Sequence, residues 1–447
     1  MIHWVVGPED EMAELFEDLA EQVSGKVKAL GRARLREPVR DEVTLRAYDL
    51  DSLIDADHPA RVIWAYASKV DMTAFEAGVR SREGTPGMAQ TSPHLLLALW
   101  LYATTDGIGS ARALARACES TSAYRWLCGE VGVNHRILSE FRNDQGGRIE
   151  QLLCDHVASL STAGLIDLDE VAQDGVRIRA SAGASSFRRR KTLKVELAKA
   201  KILLRRLKRQ SDDDDQGSSS GRKQRAARER AERVKQALAN LAEVEKLRAK
   251  REKTNANQTK TQKQPRASTT DPEARVMKMA DGGFRPAYNV QFASLPANGI
   301  ILDVACETVG SDRGLAEPMA ERLEKTYGQR PKRHLVDGGY QSAEDIAAAE
   351  AAGTDFYCPP GKTKSGREPH EPRPGDTPQV AKWRAKMATE QAKDIYKRRS
   401  ICELVHAKLR NRGADRLYVR GRQKVEIWMR WFALGANILT AHRLATA

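Results

Sequence analysis

The stretch VAQDGVRIRASAG, residues 171–183, decides how the chain is read. Apolar and polar residues alternate through it, and Val and Ile recur, which suits a half-buried strand. Asp174 stands where the extended run meets Gly175. The reading therefore puts Asp174 at a strand end, with the tight turn that glycine permits leaving its carboxylate exposed. Arg177 and Arg179 follow on alternate positions, both to one side of the strand. A carboxylate followed by cationic charge raises the question of what else converges there.

A second acid has the same setting. KRHLVDGGY (332–340) reads as a strand ending in Asp337-Gly-Gly. Two strand-end carboxylates can meet at one edge of a sheet. Hard divalent ions such as Mg2+ take oxygen ligands. A pair of them about 3.5–4 Å apart can clamp an in-line phosphoryl displacement. Asp-Gly pairs are also ordinary turn formers, so neither is decisive alone. The third piece is YKRRSICELVHAKLR (396–410), helical in propensity. Tyr396, Glu403 and Arg410 are spaced by seven, and Arg399 lies about a turn before Glu403. Ile401, Leu404, Val405 and Leu409 would bury the opposite face. A solvated helix face shows glutamate among cations as well.

Working outward, residues 8–30 read as an amphipathic helix followed by a basic stretch to Arg40. Residues 48–160 read as several short helices punctuated by Ser, Thr, Gly and Asn, resembling a helix-turn-helix domain or a plain bundle. LLLALWLYATT (95–105) is apolar on most faces and suits burial. Strands are expected at 165–182, 287–294, 299–309 and 354–360, and helices from Asp312 to about Tyr327, from Ser342 to Ala352 and from about Val380 to Asn411. Asp312 reads as a helix cap rather than a catalytic acid. Residues 361–378 read as a loop, and the tail KVEIWMRWFALGANILTAHRL as an amphipathic helix on the core, with Trp428 and Trp431 inside.

Charge separates one segment from the rest. The 447-residue chain has a net charge of +14 and 41% hydrophobic residues, so a globular body with an anionic partner is expected. Between Arg188 and Lys263, 25 lysines and arginines face 10 aspartates and glutamates, which accounts for the whole excess. This segment reads as a basic helical hairpin with a tip at DDDDQGSSSG (212–221), a seam of Val234, Leu238, Leu241, Val244 and Leu247, and a polar linker at 255–264. Contact with DNA phosphates, a coiled-coil dimer arm and a solvated spacer all fit it. The six cysteines form no CxxC pair, which argues against a disulfide framework or a zinc site. No signal peptide or transmembrane run is visible, so no membrane partner is expected.

These motifs together resemble the bacterial insertion-sequence DDE transposases with an RNase H-like catalytic domain. Asp174-Gly175 with Ile178 and Ala180 is similar to the family's D-G-x-x-I-x-A. TDPEARVMKMADGGFRPAYNVQ (270–291) resembles its T-D-P-[DE]-[AS]-R-x-M and G-x-x-x-[AGS]-Y-N-x-Q. Asp337-Gly338-Gly339-Tyr340 resembles D-[AG]-G-Y. Tyr396, Arg399 and Glu403 fit a Tyr, Arg, Glu, Lys pattern whose last position here is Arg410, with Lys408 close by. RWLCGEVGVNHRILSEFR (125–142) resembles the family's helical N-terminal domain, so the likeness runs over about 48–440.

The resemblance implies an α/β protein, α+β overall. An RNase H-like mixed sheet with flanking helices is interrupted by the long basic helical hairpin and preceded by an all-α N-terminal domain. The expected divisions are an N-terminal helical extension (1–47), a helical DNA-binding domain (48–160), a catalytic domain (161–411) holding the hairpin (188–263), and a C-terminal helix (412–447). The resemblance implies Asp174, Asp337 and Glu403 as catalytic residues binding two Mg2+ ions, with Mn2+ able to substitute. It gives DNA contacts to Arg177, Arg179, Tyr396, Arg399, Lys408 and Arg410. The implied reaction is cleavage at transposon ends and strand transfer into target DNA, without a covalent protein–DNA intermediate. The implied partners are double-stranded DNA and a second copy on that DNA, in the cytoplasm at the nucleoid. A DNA-binding protein that has lost catalysis, and a metal-dependent nuclease without strand transfer, are the alternatives.

Overall fold

The computed structural model describes residues 49–77, 79, 89–213, 219–254, 264–361 and 368–446. The expected helix at 8–30, the basic stretch to Arg40, half of the hairpin tip and nearly all of the polar linker lie outside the described residues, as does part of the 361–378 loop.

Among the described residues seven α-helices come first: α1 (Pro59–Ala67), α2 (Thr73–Glu76), α3 (Pro93–Thr105), α4 (Ala111–Ser120), α5 (Ser122–Cys128), α6 (His135–Asp144) and α7 (Gly146–Thr162). The punctuating polar residues act as caps. Ser110 accepts from the Ala113 amide, and Asn134 from the Arg136 and Ile137 amides. Helix α3 is buried on every face from Leu95 to Thr104, as its composition suggests. Arg142 on α6 is buried too. Its guanidinium lies 4.6 Å from the Trp100 ring and 5.3 Å from the Trp428 ring, and its Nη1 donates to the Gly109 carbonyl at 2.7 Å.

Next come β1 (Glu170–Arg179) and the short β2 (Phe187–Arg188). The basic insertion follows as two long helices, α8 (Arg190–Asp213) and α9 (Ser219–Thr254). It closes on β3 (Ala267–Ser268), which pairs with β2 to make a two-stranded root. The hairpin has its own small core of Leu193, Val234, Ala237, Leu241 and Ala267. The expected seam is shorter than its spacing suggests, because Leu247 is half exposed.

The remaining strands are β4 (Arg275–Lys278), β5 (Phe284–Ser294), β6 (Ile301–Glu307), β7 (Arg333–Leu335) and β8 (Asp355–Tyr357). Strand β5 pairs antiparallel with β1 along one edge and with β4 and β6 along the other. On the far side of β1, β7 and then β8 continue the sheet in parallel. Four strands joined by antiparallel pairing (β4, β6, β5 and β1) and two parallel ones (β7 and β8) make the six-stranded mixed RNase H-like sheet, with the hairpin inserted between β1 and β5. Helix α10 (Ala316–Tyr327) lies between β6 and β7 in the chain, and α11 (Ala343–Ala351) connects the parallel neighbours β7 and β8.

Two expectations about the C-terminal third need correction. The single helix from Val380 to Asn411 is instead α12 (Pro378–Ala388), α13 (Glu390–Lys397), a 3₁₀ turn at Arg398–Ser400 and α14 (Ile401–Asn411). Thr389 is responsible for the first break. Its backbone is extended and its hydroxyl accepts from the Ala392 amide, starting a new helix. The last helix, α15 (Arg422–Thr446), packs on the core with Trp428 and Trp431 inside as expected, but it is not amphipathic. It is buried from Val425 to Ile438, with Trp431 and Phe432 sealed completely or nearly so. Helices α3, α7 and α15 and strands β5 and β6 share one apolar core. Each large side chain in it contributes about 1.5–3 kcal/mol.

Candidate active site

Asp174 does not end its strand. It lies in the middle of β1, opposite Phe292 of β5. The even-numbered side chains of β1 face helix α14, and the odd-numbered ones face the other way. Gly175 therefore makes no turn. A Cβ there would collide with Gln291 Nε2 and lie 2.6 Å from Asp312 Oδ1 and 2.7 Å from Asn289 Oδ1. Glycine is needed because polar side chains occupy that space, so the reason differs from the one its sequence setting suggests.

Asp337 stands just past β7, where the parallel register sets Ala172 against Leu335. The two aspartates thus stand at matched positions, Asp174 within β1 and Asp337 just past the end of its parallel neighbour. The Asp337 carboxylate caps the 3₁₀ turn Gly338–Tyr340, its Oδ1 accepting from the Gly339 amide at 2.7 Å. A Cβ on Gly339 would come within 2.9 Å of that oxygen.

The turn between α13 and α14 is fastened to β1 by two neighbouring arginines. Arg398 Nη1 pairs with Glu170 at 3.2 Å, and Arg399 Nη1 donates to Asp174 Oδ2 at 3.0 Å. Arg399 also lies 5.8 Å from the centre of the Tyr396 ring. Four residues on, Glu403 is exposed in the first turn of α14. His406, a turn further, brings its Nδ1 to 3.9 Å from Asp174 Oδ2. Burial, then Arg410 and Arg399, push this imidazole down to about 4, so it is neutral near pH 7. Arg399 and His406 reach Asp174 from this segment, whereas Glu403 and Arg410, within a turn of His406, are exposed. Of the residues expected on the opposite face, Leu404 is half exposed, while Val405 and Leu409 are buried.

Burial raises both aspartates above the usual carboxylate range. For Asp174, Arg399 works against burial. For Asp337, the charge of Asp174 adds to burial. A cation placed between them would relieve this repulsion, and all three acids are hard oxygen donors suited to Mg2+. Among the described residues, no three acidic, histidine or cysteine side chains stand close enough together to enclose a metal ion. One Asp174 oxygen is taken up by Arg399 and the other accepts the Gly175 amide at 2.8 Å.

The remaining expected contacts are dispersed. Arg177 points to the face opposite Asp174, where its Nη2 donates to the Gly310 carbonyl at 2.9 Å and pairs with Asp312 at 3.3 Å. Arg179 is exposed on the same side. Lys408 is half-buried, and its ammonium is held down by burial and by Arg443 and Arg412, so it belongs to a cationic group at the other end of α14. Arg410 is exposed.

Three residues near the site have no functional role in the sequence reading, which gives Asn289 and Gln291 only as part of the Y-N-x-Q motif and Asp312 only as a helix cap. Asn289 and Gln291 sit at alternate positions of β5 and both donate to Asp312 Oδ1, at 2.7 and 2.9 Å. Asp312 is not a helix cap, since α10 starts only at Ala316. The signal for these residues was two amides at i and i+2 in an otherwise apolar strand, which argues for a buried polar face. Tyr288, the residue before Asn289, faces the core and donates to Asp271 of the T-D-P motif at 2.6 Å.

Two family models match. The family described as a transposase DDE domain matches residues 247–438, and the one described as a transposase domain (DUF772) matches residues 48–144. The first match includes Asp337 and Glu403, whereas Asp174 lies between the two matches. No curated protein and no solved structure matches the chain. Among the described residues, no helix is long and apolar enough to cross a membrane.

Proposed function

Because the chain belongs to the DDE-type insertion-sequence transposases, which are enzymes of DNA phosphoryl transfer, we propose that it cleaves DNA at transposon ends and joins the freed end to target DNA. Asp174, Asp337 and Glu403 are the acids of this reading. What supports it is that Asp174 in β1 and Asp337 just past the parallel neighbour β7 stand at matched positions, with Arg399, four residues before Glu403, bonded to Asp174.

The family generally uses divalent metal, and these three carboxylates would hold two Mg2+ ions, or Mn2+ in their place. Bound there, the ions would polarise the scissile phosphodiester and lower the pKa of the attacking water or 3′-hydroxyl. Arg399 neutralises Asp174 until that charge is otherwise matched, and its guanidinium is then free to face a phosphate. Tyr396 beside it and Arg410 further along α14 would contact the DNA backbone, as would Arg179 from the open side of β1. Arg177, paired with Asp312 on the other face of the sheet, and Lys408, beside Arg412 and Arg443 at the far end of α14, lie away from these acids. Residues 48–160 are read as the end-binding domain, 161–411 as the catalytic domain, 188–263 as an insertion for DNA or dimer contact, and 412–447 as a structural C-terminal segment. Two copies on paired DNA ends, acting at the nucleoid, complete the reading.

The test uses purified protein, Mg2+ and a plasmid carrying the gene's native flanks. Cuts at the flanks together with joined products are expected. Cuts without joining would mark a nuclease, and binding without cuts a DNA-binding protein.

A further inference from the structure

The polar cluster behind β1 lies on the face of the sheet away from Glu403, and the proposed chemistry does not use it. Its centre is Gln291, whose four amide hydrogen-bonding positions are all engaged. Gln291 Nε2 donates to Asp312 Oδ1 at 2.9 Å and to Asn289 Oδ1 at 3.2 Å. Gln291 Oε1 accepts from Gln173 Nε2 at 2.9 Å and from the Tyr340 hydroxyl. Gln173 adjoins Asp174 on β1, and Tyr340 closes the turn begun by Asp337. One buried amide therefore joins the strand of the first acid to the turn of the second.

The amide can do this only with its oxygen towards Gln173 and Tyr340. Asp312 enforces that orientation. An ionised carboxylate only accepts, so it demands the NH2 end of Gln291 and the NH2 end of Asn289. Arg177 balances its charge from the other side at 3.3 Å. Its side chain is only 12% exposed, so water competes little for these donors.

We propose that Asp312 is a positioning residue: through Gln291 and Tyr340 it fixes the turn carrying Asp337 against the strand carrying Asp174. This rests on the reading that those two acids hold the metal. An asparagine at 312 offers one acceptor and two donors, so it frees Gln291 to turn over. Its NH2 would then meet the Gln173 NH2 donor against donor, and the Tyr340 hydroxyl would have to switch from donating to accepting, so the brace would be weakened without removing volume. Outer partners of metal ligands commonly change metal affinity about 10–100-fold.

The experiment compares wild type, Asp312→Asn, Tyr340→Phe, the double variant and Asp337→Asn. Mn2+ affinity is read from the electron paramagnetic resonance of free Mn2+, which needs no turnover. DNA affinity and cleavage are read beside it. The expected result is Mn2+ binding weakened about 10-fold or more in each single variant at 312 and 340. The double variant should be no worse than either, and DNA affinity should be unchanged. Wild-type Mn2+ affinity in Tyr340→Phe, with loss in Asp337→Asn, would overturn the brace and leave the site reading standing. Unchanged Mn2+ affinity in Asp337→Asn would overturn the site reading itself. Should Asp312→Asn fail to fold, Tyr340→Phe decides alone, since it removes one hydroxyl from a fully buried ring.

Discussion

Arg399 Nη1 donates to Asp174 Oδ2 at 3.0 Å, so the 3₁₀ turn before α14 is fastened to the acid at the middle of β1. Both side chains are mostly buried, at 16% and 17% exposure. Arg399→Ala leaves a buried carboxylate without its counter-charge, at a cost of about 2 kcal/mol. Urea unfolding should show this loss. Arg399→Lys should recover part of it, because charge returns but the planar fork does not.

Gly175→Ala drives a methyl group into Gln291, Asp312 and Asn289. Overpacking of this kind costs about 1–3 kcal/mol. Gly183 is the control. Its backbone is ordinary extended chain and a Cβ there meets only Ser185 Oγ, at 3.5 Å. Thermal unfolding should separate the two variants, with Gly183→Ala near wild type.

Much of the fold is legible along the chain because period and punctuation mark it. The apolar run of α3, the alternation of β1 and β5, and the basic hairpin each stand out locally. Long-range packing is not legible. Nothing within KVEIWMRWFALGANILTAHRL tells that α3, α7 and the sheet will cover its polar face, so it reads as amphipathic yet is buried. The break at Thr389 depends on one hydroxyl reaching an amide three residues on. Of the candidate site, the acids are visible as Asp-Gly pairs and a lone Glu. The reason for Gly175 is not, because the atoms that crowd it come from β5 and from the loop before α10.

Asp337 is held above the usual carboxylate range by burial and by Asp174. An acid raised in this way keeps its proton longer in the fold than in the unfolded chain. Its contribution to stability is present below the unfolded value of about 3.8 and lost as pH rises through the folded value. Asp337→Asn should therefore unfold at a higher temperature than wild type at pH 7 without metal. The gap should close below pH 4. Adding Mn2+ should stabilise wild type more than the variant.

The hairpin core is small and lies apart from the main core, so its stability can be altered separately. Leu241 is fully buried there. Leu241→Ala costs about 2–4 kcal/mol, concentrated in α8 and α9. Limited proteolysis should cut between residues 190 and 254 sooner than in wild type, while the rest of the chain resists as before. If α8 and α9 serve DNA or dimer contact, DNA binding should weaken with it.

The central claim is that Glu403 acts in chemistry and not in holding DNA. The direct measurement is Mg2+-dependent cleavage per bound complex for wild type and Glu403→Gln, on the same end DNA. Glu403 is exposed and the amide keeps its shape, so the fold should be undisturbed. Full DNA binding with cleavage lower by about 100-fold or more is the predicted result, in keeping with removal of a group that acts in the transition state. Weaker binding with cleavage per complex retained would contradict it.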